Sequence, residues 1–379
     1  MDKWLGLTAT DYGTVELEYI REAIVSQKLE GNGLFTKKVH QFFMDRYGFK
    51  SAFFTPSGTD ALELAALLLP LNPGDEVIVP SYTFPSTAHA FKLRGLKIVL
   101  ADSEKNHPNM DFQSVVKSVT SKTKVICVVH YGGASPDMEE LSLFCKKNGI
   151  YLIEDAAQAI DSYYNSKPLG LFGDMSAFSF HQTKNISSGE GGLLVVNNPE
   201  FIKRAEIIRE KGTNRQAFLR GEVDKYTCVD IGSSFVGSDL NAALLLGQLQ
   251  RLDQIQAQRL ERWKAYEQAF SGLKILKPQI NNKVKHNAHN YYFVFDNINQ
   301  RDHFINYMRS NNIGAVFHYV GLHRGSYYRA EATWVGDLKQ SDYFTDGLVR
   351  LPLYGSLTAE EQEYIISNVL EYFKTYENN

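Results

Sequence analysis

From about residue 51 to 200, short apolar runs alternate with longer stretches in which apolar positions recur at helical spacing. The runs lie at 77–79, 97–100, 125–129, 151–153, 177–180 and 193–196. This rhythm predicts an α/β chain with a mainly parallel sheet and helices on both faces. Before it, residues 14–28 pattern as an amphipathic helix broken by Gly31-Asn32-Gly33, and 36–47 as a second helix. After it, a long helical pattern covers 238–270. A strand at 291–295, a helix at 301–310, a strand at 315–319 and a helix at 359–372 follow, an α+β order. We therefore expect an N-terminal arm and large domain over 1–245, then a linking helix and small C-terminal domain over 246–379. No internal repeat or low-complexity segment interrupts this.

Composition narrows the class. The 379 residues allow about two domains. Hydrophobic residues at 44% and charged residues at 22% are ordinary for a globular enzyme. Forty basic against 43 acidic side chains, net −3, with no long basic run, speaks against nucleic acid and a polybasic membrane patch. No apolar stretch is long enough to span a bilayer, and the opening Met-Asp-Lys-Trp lacks a signal-peptide layout. Cys127, Cys145 and Cys228 are widely spaced and form no CxxC pair, which fits a reducing, cytoplasmic setting.

Chemistry enters at 178–192, Phe-Ser-Phe-His-Gln-Thr-Lys-Asn-Ile-Ser-Ser-Gly-Glu-Gly-Gly. Its single lysine, Lys184, follows an apolar strand and precedes a glycine-rich turn. A desolvated lysine loses basicity and can condense with an aldehyde; a plain loop lysine fits the same position. Asp155 closes the apolar run Tyr151-Leu-Ile-Glu, where a buried parallel strand ends. Catalytic groups in open α/β sheets collect at such ends. Alone, Asp155 reads as a helix cap. Paired with Lys184, it is the carboxylate that pyridoxal phosphate needs against its ring nitrogen. Ser57, Gly58 and Thr59 sit where a strand hands over to a helix, with free N–H groups and the positive dipole end available to a phosphate. An ordinary Ser/Thr cap explains them equally.

The ordered motifs Thr-Pro-Ser-Gly-Thr-Asp-Ala-Leu (55–62), Ser-Tyr-Thr-Phe (81–84), Glu-Asp-Ala-Ala-Gln (154–158), Ser-Phe-His-Gln-Thr-Lys-Asn (179–185) and Gly-Glu-Gly-Gly (189–192) together resemble the DegT/DnrJ/EryC1/StrS sugar aminotransferases over essentially the whole chain. The resemblance implies a fold-type I pyridoxal 5'-phosphate enzyme with a final antiparallel strand in its sheet. Segments 209–215, 220–227, 230–234 and 315–319 are similar to the branch that aminates 4-keto-6-deoxy nucleotide sugars with glutamate. Gly232-Ser-Ser-Phe-Val stands where many relatives carry Gly-Tyr-Asn-Tyr-Arg, a departure shared with that branch. A 3-keto sugar as substrate, a dehydratase and a non-catalytic relative are the competing readings. The dehydratase branch replaces the lysine by histidine, and a non-catalytic relative would be expected to lose Lys184 or Asp155.

The resemblance also supplies roles. Phe84 would stack on the cofactor ring, although with 23 Phe in the chain a core role competes. Gln158 would sit beside the ring, and Ser179 would join the phosphate site. Asn241 would reach the phosphate of a neighbouring subunit, making a homodimer with shared sites; a helix-end polar residue is the alternative. Lys211, Arg215, Arg220 and Tyr226 would meet a diphosphate, or form a solvated loop. His318, Tyr319 and His323 would line the substrate pocket. Their spacing gives no metal site, for His318 and His323 do not share a helical face and lack further ligands.

Overall fold

A computed structural model describes residues 3–376. Its centre is an eight-stranded sheet. Ala332–Trp334, Lys97–Ala101, Glu76–Pro80, Thr123–Val129, Tyr151–Asp155 and Met175–Ser179 pair in parallel, in that spatial order. Gly192–Val196 then runs antiparallel to both Met175–Ser179 and Ala52–Thr55. The parallel sheet and its reversed strand are as expected from the sequence.

Side chains of each strand alternate between two apolar layers. Leu152, Phe178 and Val195 join Phe43 and Phe180 on one face; Ile153, Ala177 and Leu194 join Leu64 and Leu68 on the other. Each fully buried Leu or Phe contributes about 1.5–3 kcal/mol, and both layers are continuous, so the sheet is a rigid platform. A second sheet, Tyr291–Val294, Leu348–Leu351 and Val316–Phe317, is antiparallel. Helices Ile298–Ser310 and Ala359–Tyr376 flank it, with Phe293, Phe304 and Phe373 packed between.

Three features differ from the sequence pattern. The helix expected over 238–270 is two, Asp239–Gln250 and Leu252–Ala269, broken at Arg251. There the guanidinium turns to Asp11 Oδ2 at 2.6 Å and Glu16 Oε1 at 3.0 Å. The strand expected at 315–319 is reduced to Val316–Phe317. Ala332–Trp334, late in the chain, adds an unforeseen edge strand to the large sheet. Among the described residues, no helix is long and apolar enough to cross a membrane.

Candidate active site

Register brings the reactive ends together. Val129 pairs with Asp155, and Asp155 with Ala177, so three parallel strands end side by side at their carboxyl edge. Neighbouring carboxylates then part company. Glu154 points to one face, fully buried, and holds His130 Nε2 at 2.8 Å and the N–H groups of Gly170, Phe172 and Gly173 at 2.7–2.8 Å. It is a structural anchor. Asp155 points to the other face, into a cavity of about 560 Å³.

That cavity is also lined by Ser57, Gly58, Thr59, Phe84, Gln158, Ser179, Lys184, His318 and Tyr319. Asp155 is buried, and burial pushes its carboxyl up. The Thr87 hydroxyl, donating to Oδ2 at 2.7 Å, and the Ala157 N–H, donating to Oδ1 at 3.2 Å, oppose that shift. Lys184 is pushed down to about 8, first by desolvation and further by Arg350, with Asp155 pulling the other way. More free amine is then present near neutral pH than an ordinary lysine offers, about a tenth of the total at pH 7.

The far end is built for an anion. Helix Gly58–Leu68 begins there, its N-cap Ser57 accepting the Asp60 N–H at 3.0 Å. Ser57 is therefore a helix cap and a cavity wall at once. A Cβ on Gly58 would lie 2.9 Å from Ser179 Cβ, so only glycine lets the helix start this close to Ser179. Thr59 bonds Ser86 at 2.7 Å beside it. Phe84 is 55% exposed, its face left to the cavity beside Tyr319 at 6.2 Å between ring centres. A helix terminus and hydroxyls at one end, a buried carboxylate and an uncharged-prone lysine at the other, and an open aromatic face between them fit the phosphate, ring nitrogen, aldehyde and ring of pyridoxal phosphate.

Several residues stand differently from a simple lining role. Gln158 is committed at both ends, its Oε1 taking the Gly132 N–H at 2.7 Å and its Nε2 donating to Tyr319 OH at 2.8 Å. His318 lies on Tyr319 with ring centres 3.6 Å apart and bonds Tyr131 OH at 2.7 Å; burial holds it well below its ordinary pKa, so it is neutral. His323 lies outside the cavity, bonded at one nitrogen to Ser81 Oγ and at the other to Asp342. Asn241 is also outside, donating to the carbonyls of Ser188 and Glu190. Lys211, Arg215, Arg220 and Tyr226 do not reach their own chain's cavity; Arg215 pairs with Glu210, and Arg220 with Glu206 and Glu222.

Sequence reasoning missed other residues in or behind the cavity wall. Arg350 enters from the second sheet, its Nε buried and without a hydrogen-bond partner among the described residues. Its signal was one charge inside the apolar strand Leu348–Leu351. Leu7 and Thr8 enter from the N-terminal arm. Thr10 Oγ1 ties that arm to the Gln182 carbonyl at 3.0 Å, next to Lys184. Thr87 carried no signal beyond its place after Phe84. Among the described residues, no cluster of His, Cys, Asp or Glu is arranged to hold a metal ion.

Fold and site together define an aminotransferase whose cofactor is pyridoxal phosphate. The model of the DegT/DnrJ/EryC1/StrS aminotransferase family matches residues 11–370, and the chain belongs to that family. It is 31% identical to the spore coat polysaccharide biosynthesis protein SpsC of Bacillus subtilis, over 96% of this chain and 95% of that one. Among solved structures it is similar to the aminotransferase TlmJ from Streptoalloteichus hindustanus, with TM-score 0.91, 26% identity, and 98% of this chain and 100% of that one covered. The pyridoxal-phosphate form of the putative sugar aminotransferase Spr1654 from Streptococcus pneumoniae has TM-score 0.89 at 25% identity, covering 96% and 97%.

Proposed function

We propose that the chain moves an amino group from L-glutamate to the C4 keto carbon of a 4-keto-6-deoxy nucleotide sugar. The substrate in this reading is dTDP-4-dehydro-6-deoxy-D-glucose, and the product is a 4-amino-4,6-dideoxy sugar nucleotide for a cell-surface glycan. The observation that carries the transaminase chemistry is the desolvated Lys184 amine in one cavity with buried Asp155, opposite a helix N-terminus. The choice of sugar is supported by segments 209–215, 220–227, 230–234 and 315–319, which resemble dTDP-4-amino-4,6-dideoxygalactose transaminase.

Pyridoxal phosphate supplies an aldehyde carbon and an electron-withdrawing ring. Lys184 would hold that carbon covalently between turnovers. Once displaced by the donor, its Nζ takes the proton from the donor α-carbon, a general-base role its lowered basicity suits. Asp155 keeps a negative charge against the ring nitrogen. Ser57, Gly58, Thr59 and Ser179 would hold the phosphate, and Phe84 would cover the ring. Gln158 fixes Tyr319, which with His318 would face the sugar. Arg350 offers a guanidinium fork for a carboxylate of the donor. Both substrates use the one cavity in turn, giving ping-pong kinetics.

Asn241 and the segment carrying Lys211, Arg215, Arg220 and Tyr226 would serve the neighbouring subunit of a two-fold homodimer. Phe218, Leu219, Tyr226, Val229 and Ile231 are all exposed in that segment, an apolar surface of the kind an interface covers. The test is incubation of the purified protein with glutamate and a panel of 4-keto and 3-keto nucleotide sugars, with the product structure solved by NMR. Amination at C4 of the 6-deoxy dTDP sugar is expected. Turnover of 3-keto sugars alone would overturn the assignment.

A further inference from the structure

We infer that Thr87, backed by Thr83, is the positioning residue that aims the Asp155 carboxylate into the cavity and holds it ionised. The inference rests on the role given to Asp155 above. Thr87 lies on the short helix Ser86–Lys92, far from Asp155 in sequence, and is completely buried. Its Oγ1 stands 2.7 Å from Asp155 Oδ2, and Thr83 Oγ1 stands 2.8 Å from Thr87 Oγ1. The direction of this chain is forced. An ionised carboxylate can only accept, so the Thr87 hydrogen goes to Asp155, and Thr87 in turn accepts from Thr83.

Few other groups share the task. Lys184 across the cavity, Tyr319 on its wall, Cys127 on the neighbouring strand and His130 just after that strand act on Asp155 electrostatically. Among the described residues, only Thr87 and the Ala157 N–H bond its carboxylate oxygens. The backbone bond is longer, so Thr87 is the stronger hold. A proton shared between a carboxylate and a ring nitrogen can rest on either. Hydrogen bonds to the carboxylate favour its charged form and leave the proton on the ring. Burial works against that form, and Thr87 is the largest counterweight.

The experiment compares Thr87→Val, which keeps the shape and removes the donor, with Thr87→Ser, which keeps the donor. The first readout is the pH titration of the holoenzyme's visible absorbance without either substrate. A ring that surrenders its proton withdraws less charge from the Lys184 nitrogen, so the midpoint in Thr87→Val should rise by about one unit. Thr87→Ser should restore it. In single turnovers with glutamate, Thr87→Val should slow the chemical step about tenfold while apparent binding stays within about twofold. An unmoved midpoint in folded Thr87→Val, or a shift that Thr87→Ser fails to reverse, overturns the inference. Should Thr87→Val not fold, Thr83→Val reads the same chain one bond further back. A smaller shift in the same direction supports the inference, and no shift overturns it. Asp155→Asn separates the two levels: if it too leaves the midpoint unmoved, the role of Asp155 itself fails, not only that of Thr87.

Discussion

The wall around Lys184 and the segment from Lys211 to Asp230 both carry basic side chains, yet they treat charge in opposite ways. In the cavity, Lys184 and Arg350 have no salt-bridge partner among the described residues, and desolvation works directly on the lysine's basicity. In the segment, Arg215 is paired with Glu210, Arg220 with Glu206 and Glu222, and Asp230 with Arg204 of the preceding helix. Ion pairs open to solvent, such as Arg220 with Glu222, contribute little to stability. The difference separates charge kept reactive by its surroundings from charge kept ready on a surface, where a bound anion can take the place of the local carboxylates.

The largest expected effect lies in the cavity. Lys184→Ala should lose transamination by about 10⁴-fold, the upper range of a proton-transfer role alone, while retaining the cofactor non-covalently. Borohydride reduction of the native holoenzyme followed by peptide mapping checks this; label on any other lysine removes the central assignment.

Acidity tests the same desolvation without mutation. Apoenzyme should capture pyridoxal phosphate through the free amine, so the capture rate should climb with pH up to about 8 and level off above it. Below that midpoint the rate should fall about tenfold per pH unit. Stopped-flow absorbance measures it. A rate still climbing steeply at pH 10 would mean an ordinary, hydrated lysine.

A mixed-subunit experiment asks whether the segment and Asn241 belong to a neighbour's cavity. Lys184→Ala and Asn241→Trp chains, each inactive alone, should regain about a quarter of native activity when reassembled together, since half the dimers then hold one intact site of two. No recovery from chains shown to exchange subunits would place Asn241 outside catalysis. The smallest effect should come from the surface. Arg220→Ala should leave the melting temperature within about 1 °C. It should raise the KM for the nucleotide sugar about threefold to tenfold without touching the glutamate half-reaction. An unchanged KM would return Arg220 to the role of a solvated ion pair.

The same contrast explains what the sequence revealed. The parallel strands were legible because burial on two faces demands continuous apolar runs, and Asp155 because it ends one of them. Lys184 was legible only in combination, through its pairing with Asp155 and its place in the ordered motifs, since alone it fits a plain loop lysine. Thr87 was not, because it reaches Asp155 only through tertiary contact and a threonine is not unusual where it stands; Arg350 stood out as a charge in an apolar strand, but its place in the cavity comes from the docking of the second sheet. Histidine patterning could not foresee that both nitrogens of His323 would be occupied by Ser81 and Asp342 outside the cavity. Helix periodicity likewise ran across Arg251 unbroken, since its partners there, Asp11 and Glu16, lie far away near the N-terminus.

The late edge strand has a consequence for how the protein is made. Ala332–Trp334 covers the flank of Lys97–Ala101, so a growing chain exposes that flank until most of its length has left the ribosome. An unpaired, apolar edge of this kind templates aggregation, and closing so long a loop slows folding. A fragment cut near residue 245 would keep the cavity's lysine and aspartate and still present that raw edge. It should precipitate during expression unless the missing segment is supplied in trans.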